Sequence, residues 1–187
     1  MQECDHLLSG TKGLLLMRYL GIITTLSFFS WSSLLAESKS DLPEFRLADQ
    51  KGVVFRSDSA KGNVYFLLGC GFKDVVLCRK HGRKIYWKMQ TFLQEEDKVL
   101  FSAYLDLKGA PKPVFDYISG EKDKDYESLL LDKDGVLKEG LMDGKSYLRV
   151  YSPKGKLLHI EYFESVDDTK VSELFEYIKK YRRGKGK

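Results

Sequence analysis

Residues 63–93 read NVYFLLGCGFKDVVLCRKHGRKIYWKMQTFL, and the hydrophobic period changes partway along them. NVYFLL (63–68) is a short apolar run of aromatic, β-branched and leucine side chains, which reads as a central strand. Gly69, Cys70 and Gly71 follow as a loop. From about Lys73 to Leu93 the apolar positions return at steps of three and four, through Val75, Cys78, Gly82, Ile85, Met89 and Phe92. That spacing predicts a helix with one stripe laid on the sheet. Asp74 stands near its start, where a negative charge suits the helix dipole. Arg79, Lys80, Arg83 and Lys84 lie off the stripe, and Gly82 marks a close approach of helix to sheet.

Working outward, FRLADQKGVVFRS (45–57) reads as an N-terminal hairpin or extended arm, after a polar lead-in at 37–44. VLFSAYLDL (99–107) reads as a second strand, Gly109 to Pro113 as a turn, Lys112 to Ile118 as a short helix, and Gly120 to Asp125 as a charged loop. Leu129 to Leu131 is a short strand that ends at the Asp132-Lys133-Asp134-Gly135 turn; Val136 to Leu141 fits no single pattern. Tyr147–Tyr151 and Leu157–Tyr162 flank Ser152-Pro153-Lys154-Gly155, a hairpin signal. The last helix is expected from about Val166 to Tyr181, with Ser165 and Asp168 as a capping box and Val171, Leu174, Phe175, Ile178 and Tyr181 as its buried stripe. Strands separated by helical patterns imply an α/β sheet with helices on both faces and an antiparallel closing edge.

Of the 187 residues, Leu14 to Leu35 are almost continuously apolar. Read from Met17, the chain begins MRYLGIITTLSFFSWSSLLAES: a basic start, an apolar stretch and a small-residue end, the layout of a secretory signal peptide. Cleavage is placed after Ala36 or Ser38, with an uncleaved anchor as the alternative. The expected organisation is an extension and signal at 1–38, one domain at 45–181 and a basic tail at 182–187. The expected location is exported, periplasmic or secreted, with no stable membrane span once the signal is removed. Much of the net charge of +4 gathers at the C-terminus, so no broad polyanion-binding surface is expected, and export argues against a nucleic-acid partner.

There are three cysteines, Cys4, Cys70 and Cys78, and Cys4 precedes the signal. The other two stand eight residues apart, across a loop and one turn of helix. Three readings are open: a disulfide, a lone functional thiol, or inert cysteines, with Cys78 a small apolar residue on its stripe. Their spacing is neither C-x-x-C nor that of a zinc knuckle. His81, one turn along from Cys78, is either a group that polarises a thiol or a solvated histidine on a basic face. His159 reads as a surface or edge residue. Asp132, Asp134 and Gly135 form too short a motif for a calcium loop and read as a turn. No metal or cofactor is expected.

Three segments carry a resemblance. KGNVYFLL (61–68), LLLDKDGVLKEGL (129–141) and YLRVYSPKGKLLHIEYFES (147–165) resemble the strand before the active-site helix, the lead to the conserved loop and the closing hairpin of exported thioredoxin-like proteins, the redoxins. The likeness spans about 45–181 and extends to the cysteine-poor, YtfJ-like periplasmic group. It implies a thioredoxin-like three-layer α/β sandwich, with a mixed sheet, a C-terminal hairpin and a final helix. Catalytic members of the family carry Cys-x-x-Cys at the start of the first helix, where this chain reads Val75-Val76-Leu77-Cys78, so the resemblance puts Cys78 on the second, resolving cysteine and Val75 on the attacking one. They also carry a cis-proline facing the thiols, where this chain reads Asp143-Gly144-Lys145-Ser146. The expectation is therefore a degenerate active site in a non-catalytic binding or envelope module, leaning away from an enzyme and with an envelope protein as partner. The alternative is a divergent thiol–disulfide oxidoreductase or peroxide-reducing enzyme using Cys70 and Cys78.

Overall fold

The structure, a computed structural model, describes residues 41–119 and 128–182. The apolar N-terminal segment, the charged loop after residue 119 and the tail from residue 183 lie outside the described residues. Arg182, assigned to that tail by sequence, is instead the last residue of a helix.

Seven strands form one mixed sheet. They are β1 (Arg46–Asp49), β2 (Val54–Arg56), β3 (Val64–Gly71), β4 (Val99–Asp106), β5 (Leu129–Asp132), β6 (Ser146–Tyr151) and β7 (Leu157–Phe163). Among the described residues three α-helices accompany them: α1 (Val75–Gln90), α2 (Lys112–Ser119) and α3 (Asp168–Arg182). The strand order is β2-β1-β5-β4-β3-β6-β7. β3, β4 and β5 run parallel, joined through α1 and α2, and antiparallel pairs close both edges. This is the thioredoxin-like α/β sandwich that the sequence implied.

Side chains alternate across each strand, so one sheet has two cores. Val64, Phe66, Leu68 and Cys70 of β3 face the larger one, with Leu105 of β4 and Leu148 and Val150 of β6. The buried faces of α1 (Cys78, Ile85, Met89) and α3 (Val171, Leu174, Phe175, Ile178) close it, together with Ile118 of α2. Tyr65, Leu67, Tyr104, Leu130 and Tyr151 face the other way. Their cover is Phe45 and Leu47 of the N-terminal arm, Ala60, and Leu137 from the β5–β6 connection, so the third layer is built of arm and loop.

Two local readings change. The C-terminal helix is capped by Asp167, whose Oδ1 accepts the N–H of Lys170 at 2.8 Å. Asp168 instead reaches α1, 2.9 Å from Lys88 and 3.5 Å from Lys84. The predicted loop at Gly69-Cys70-Gly71 is the end of β3, so the strand carries Cys70 directly into the core. The Asp132 turn is present as expected. The Asp132 carboxylate accepts the N–H groups of Val136 (2.9 Å) and Leu137 (2.7 Å), the geometry of a side chain folding its own following backbone.

Candidate redox site

Cys70 sits at the C-terminal end of β3, the end of a parallel sheet where sites form. A tight turn, Phe72–Asp74, then reverses the chain into α1. Asp74 does not cap α1 with its side chain; its Oδ2 accepts the N–H of Gly144 at 2.9 Å, which ties the helix start to the loop before β6. Lys73 and Asp143 add an exposed ion pair at 3.0 Å across the same gap. The reversal brings the first turn of α1 over the strand end, and Cys70 and Cys78 form a disulfide with Cα atoms 5.9 Å apart. Separation along the chain is eight residues, so the bridge fixes the strand–helix corner.

Both sulfurs are buried, but they differ in what lies beside them. Cys78 lines a cavity of about 300 Å³ with Leu68, Gly82, Arg83, Tyr86 and Ser128; Cys70 is not among the lining residues. The wall is mostly apolar, from Phe66, Ile85 and Leu148, with Arg79 and Arg83 contributed by α1. Cys70 lies instead against Ser146, the first residue of β6. Ser146 Oγ stands 3.6 Å from Cys70 Sγ and 2.8 Å from His81 Nδ1. All three side chains are buried. Burial holds the His81 imidazole below its ordinary pKa, and the charge of Lys80 pushes the same way, so the ring is neutral at neutral pH. It packs against Phe163 in a T-shaped arrangement, with ring centroids 6.4 Å apart.

His81 is therefore not the solvated histidine of a basic face; it is part of the sulfur site. Ser146 enters the sequence reading only as part of the loop that stands where the family carries its cis-proline, with no chemical role assigned to it. Its signal was parity: it shares the strand face of Leu148 and Val150, which points at α1. The other residues considered stay apart from this site. His159 lies on edge strand β7 with Nε2 3.0 Å from Glu161 Oε2, its ring stacked on Tyr177. Among the described residues no group of His, Cys, Asp and Glu is arranged to hold a metal ion, and no helix is long and apolar enough to cross a membrane.

No family model matches the sequence. No curated protein matches it either. Solved structures do match. The thioredoxin domain of a thiol-disulfide oxidoreductase from Bacteroides vulgatus is similar with TM-score 0.55 and 17% identity, covering 76% of this chain and 99% of that one. The exposed lipoprotein thioredoxin of Streptococcus pneumoniae is similar with TM-score 0.54 and 15% identity, covering 72% of this chain and 99% of that one. A thiol:disulfide interchange protein of the thioredoxin family from Chlorobium tepidum gives TM-score 0.54 and 13% identity, over 76% and 99% of the two chains. At these identities the likeness establishes the fold.

The disulfide overturns the expectation of a degenerate active site, and with it the non-catalytic binding module and the leaning away from an enzyme. In the family pattern both thiols stand on one helix, where this chain has Val75 in place of the first. The second sulfur comes from the preceding strand, and only the strand–helix corner brings it within bonding distance.

Proposed function

We propose that this chain is an exported thiol–disulfide oxidoreductase whose redox pair is Cys70 and Cys78. The observation that carries the reading is the Cys70–Cys78 disulfide, set between a strand end and a helix start, with Cys78 on a cavity wall. In the reduced chain the Cys78 sulfur attacks a substrate disulfide R–S–S–R′. A Cys78–S–S–R bond forms and R′S⁻ leaves. Cys70 then attacks the Cys78 sulfur, the intramolecular disulfide forms and RS⁻ leaves, so two electrons have passed to the substrate. The reverse sequence oxidises a substrate dithiol. Cys78 is assigned the outer role because it borders the cavity, and because the positive end of α1 favours negative charge on its sulfur. Cys70, on the sheet side, resolves.

Export is supported by the signal-like stretch beginning at Met17 and by an oxidising destination in which such a pair forms. The structurally similar proteins named as a thiol-disulfide oxidoreductase, an exposed lipoprotein thioredoxin and a thiol:disulfide interchange protein favour this chemistry over a silent module. The finer likeness to the YtfJ-like group rests on the quoted segments alone and adds nothing to the reading; an envelope protein as the dithiol or disulfide substrate is part of the proposal.

The test uses the chain in a Cys4→Ser background, reduced and then mixed with an aromatic disulfide such as 5,5′-dithiobis(2-nitrobenzoate). The Cys70→Ser variant should hold one thionitrobenzoate on Cys78, located by mass spectrometry, while the chain with both cysteines should discharge it. Thiols that stay unreactive in the folded chain, or an adduct found on Cys70 alone, would sink the assignment.

A further inference from the structure

The geometry points to a proton relay behind the sulfur pair: Ser146 and His81 take the proton of Cys70 when that thiol resolves a mixed disulfide. This rests on the redox role proposed for the cysteines and goes beyond it, because it assigns a function to two residues that carry no sulfur.

A resolving thiol must lose its proton to attack, and Cys70 is enclosed by the sheet, so bulk water does not reach it freely. The polar neighbour that the structure gives it is Ser146 Oγ at 3.6 Å, and behind that hydroxyl stands His81 Nδ1 at 2.8 Å. In the reduced chain the Cys70 thiol donates to Ser146 Oγ, and the Ser146 hydroxyl donates to Nδ1. As the Cys70–Cys78 bond forms, the thiol proton passes to Ser146 Oγ and the hydroxyl proton passes to Nδ1. His81 becomes imidazolium, and the departing RS⁻ carries away the electron pair of the broken Cys78–S–R bond. The charge on His81 is then shed to solvent. When the disulfide is reduced the relay runs backwards: the His81 ring takes up a proton from solvent, and one is passed through Ser146 Oγ to the leaving Cys70 sulfur.

A serine between a buried sulfur and a buried imidazole is an expensive arrangement for purely structural ends, since each polar group must find a partner in the core. Burial keeps His81 neutral, which is the state that accepts a proton. The Lys80 charge also favours the neutral ring, and the carboxylates on the neighbouring elements are paired with lysines. Lys80 on α1 is exposed; on α3, Asp168 is held by Lys84 and Lys88; beside β6 and β7, Lys145 pairs with Glu164 at 3.0 Å. β7 itself presents the ring of Phe163.

Ser146 and His81 are positioning and proton-holding residues, so the readout must be one that packing alone does not move. Stopped-flow mixing of the reduced Cys4→Ser chain with 5,5′-dithiobis(2-nitrobenzoate) gives two releases of thionitrobenzoate, the first from attack by Cys78 and the second from resolution by Cys70. The second is followed from pH 5 to pH 9. In His81→Asn, which keeps an acceptor near Nδ1 but no base, and in Ser146→Ala, the second release at pH 7 should slow about a hundredfold, the low end of what a positioned base supplies. Its pH profile should lose the inflection below the ordinary imidazole value and follow the thiol alone. Ser146→Thr should restore the rate. A second release unchanged in both variants, or slowed equally at every pH, overturns the relay and leaves the redox pair standing. Absence of the first release in the parent chain overturns both.

Discussion

The phenol ring of Tyr104 fills the space that a side chain on Gly69 would need. The two residues are paired in register across β3 and β4, and the ring is pinned at its far end. Its hydroxyl donates to the Leu137 carbonyl at 2.9 Å and accepts from Arg149 Nη2 at 2.9 Å. A glycine that reads as a loop residue is thus a packing residue inside a strand, one position before Cys70. Gly69→Ala should cost about 2–3 kcal/mol, because the ring cannot move without breaking both hydrogen bonds. Urea unfolding should show a lower midpoint with an unchanged slope; a wild-type midpoint would mean that the ring yields.

Reduction of the Cys70–Cys78 bridge should lower stability by about 2.5 kcal/mol, the chain-entropy value for so short a loop. The comparison is guanidinium unfolding with and without dithiothreitol. The Cys70→Ala/Cys78→Ala double variant should lose all sensitivity to the reductant. If the parent chain is equally insensitive, the bridge contributes nothing to the fold.

Asp97, in the connection before β4, and Arg182, at the end of α3, form a two-bonded ion pair through Arg182 Nε (2.6 Å) and Nη2. Burial alone would raise the Asp97 carboxyl. The Arg182 guanidinium and the N–H of Gln94 outweigh it and hold the group below its ordinary value. A carboxyl depressed in the folded state contributes stability that is complete above its unfolded value, about 3.9, and is lost as pH falls through the lower folded value. Stability of the parent chain should therefore fall on acidification below about pH 4. Arg182→Met should lower stability at pH 7, since it takes the guanidinium away from the Asp97 carboxylate, and should flatten the acid limb. Unfolding free energies at pH 7, 4 and 3 would check both; parallel curves for the two proteins would refute the linkage.

Asp132 is buried and holds two backbone N–H groups, so Asp132→Ala should orphan both and cost about 2–3 kcal/mol. Asp132→Asn keeps one acceptor and should cost about 1 kcal/mol. Because the turn places Leu137 on the second core, hydrogen exchange should quicken across the β5–β6 connection in the alanine variant. Unchanged exchange there would show that Leu137 is held without the turn.

Much of the fold was legible because periodicity is a local property. The 63–68 run, the three-and-four spacing through Val75, Ile85 and Met89, and the Pro-Gly hairpin at 152–155 each gave an element the structure contains. The errors fell at corners. Gly69-Cys70-Gly71 has turn composition, yet a glycine also permits the close approach of Tyr104 within a strand, and composition does not separate the two uses. Ser165 and Asp168 matched a cap pattern that Asp167, one residue away, satisfies.

The sequence by itself determined the order of the main strands and helices, since each follows from patterns along a few neighbouring residues, and the resemblance of three segments to exported thioredoxin-like proteins pointed to the class of fold. Only the tertiary structure decided that Cys70 and Cys78 are one site. Their pairing depends on the angle at which α1 returns over the end of β3, and Ser146 and His81 join them from 76 residues further on and from a helix face that reads as basic and exposed. Contacts between elements are set by how whole faces pack, and no local pattern records them.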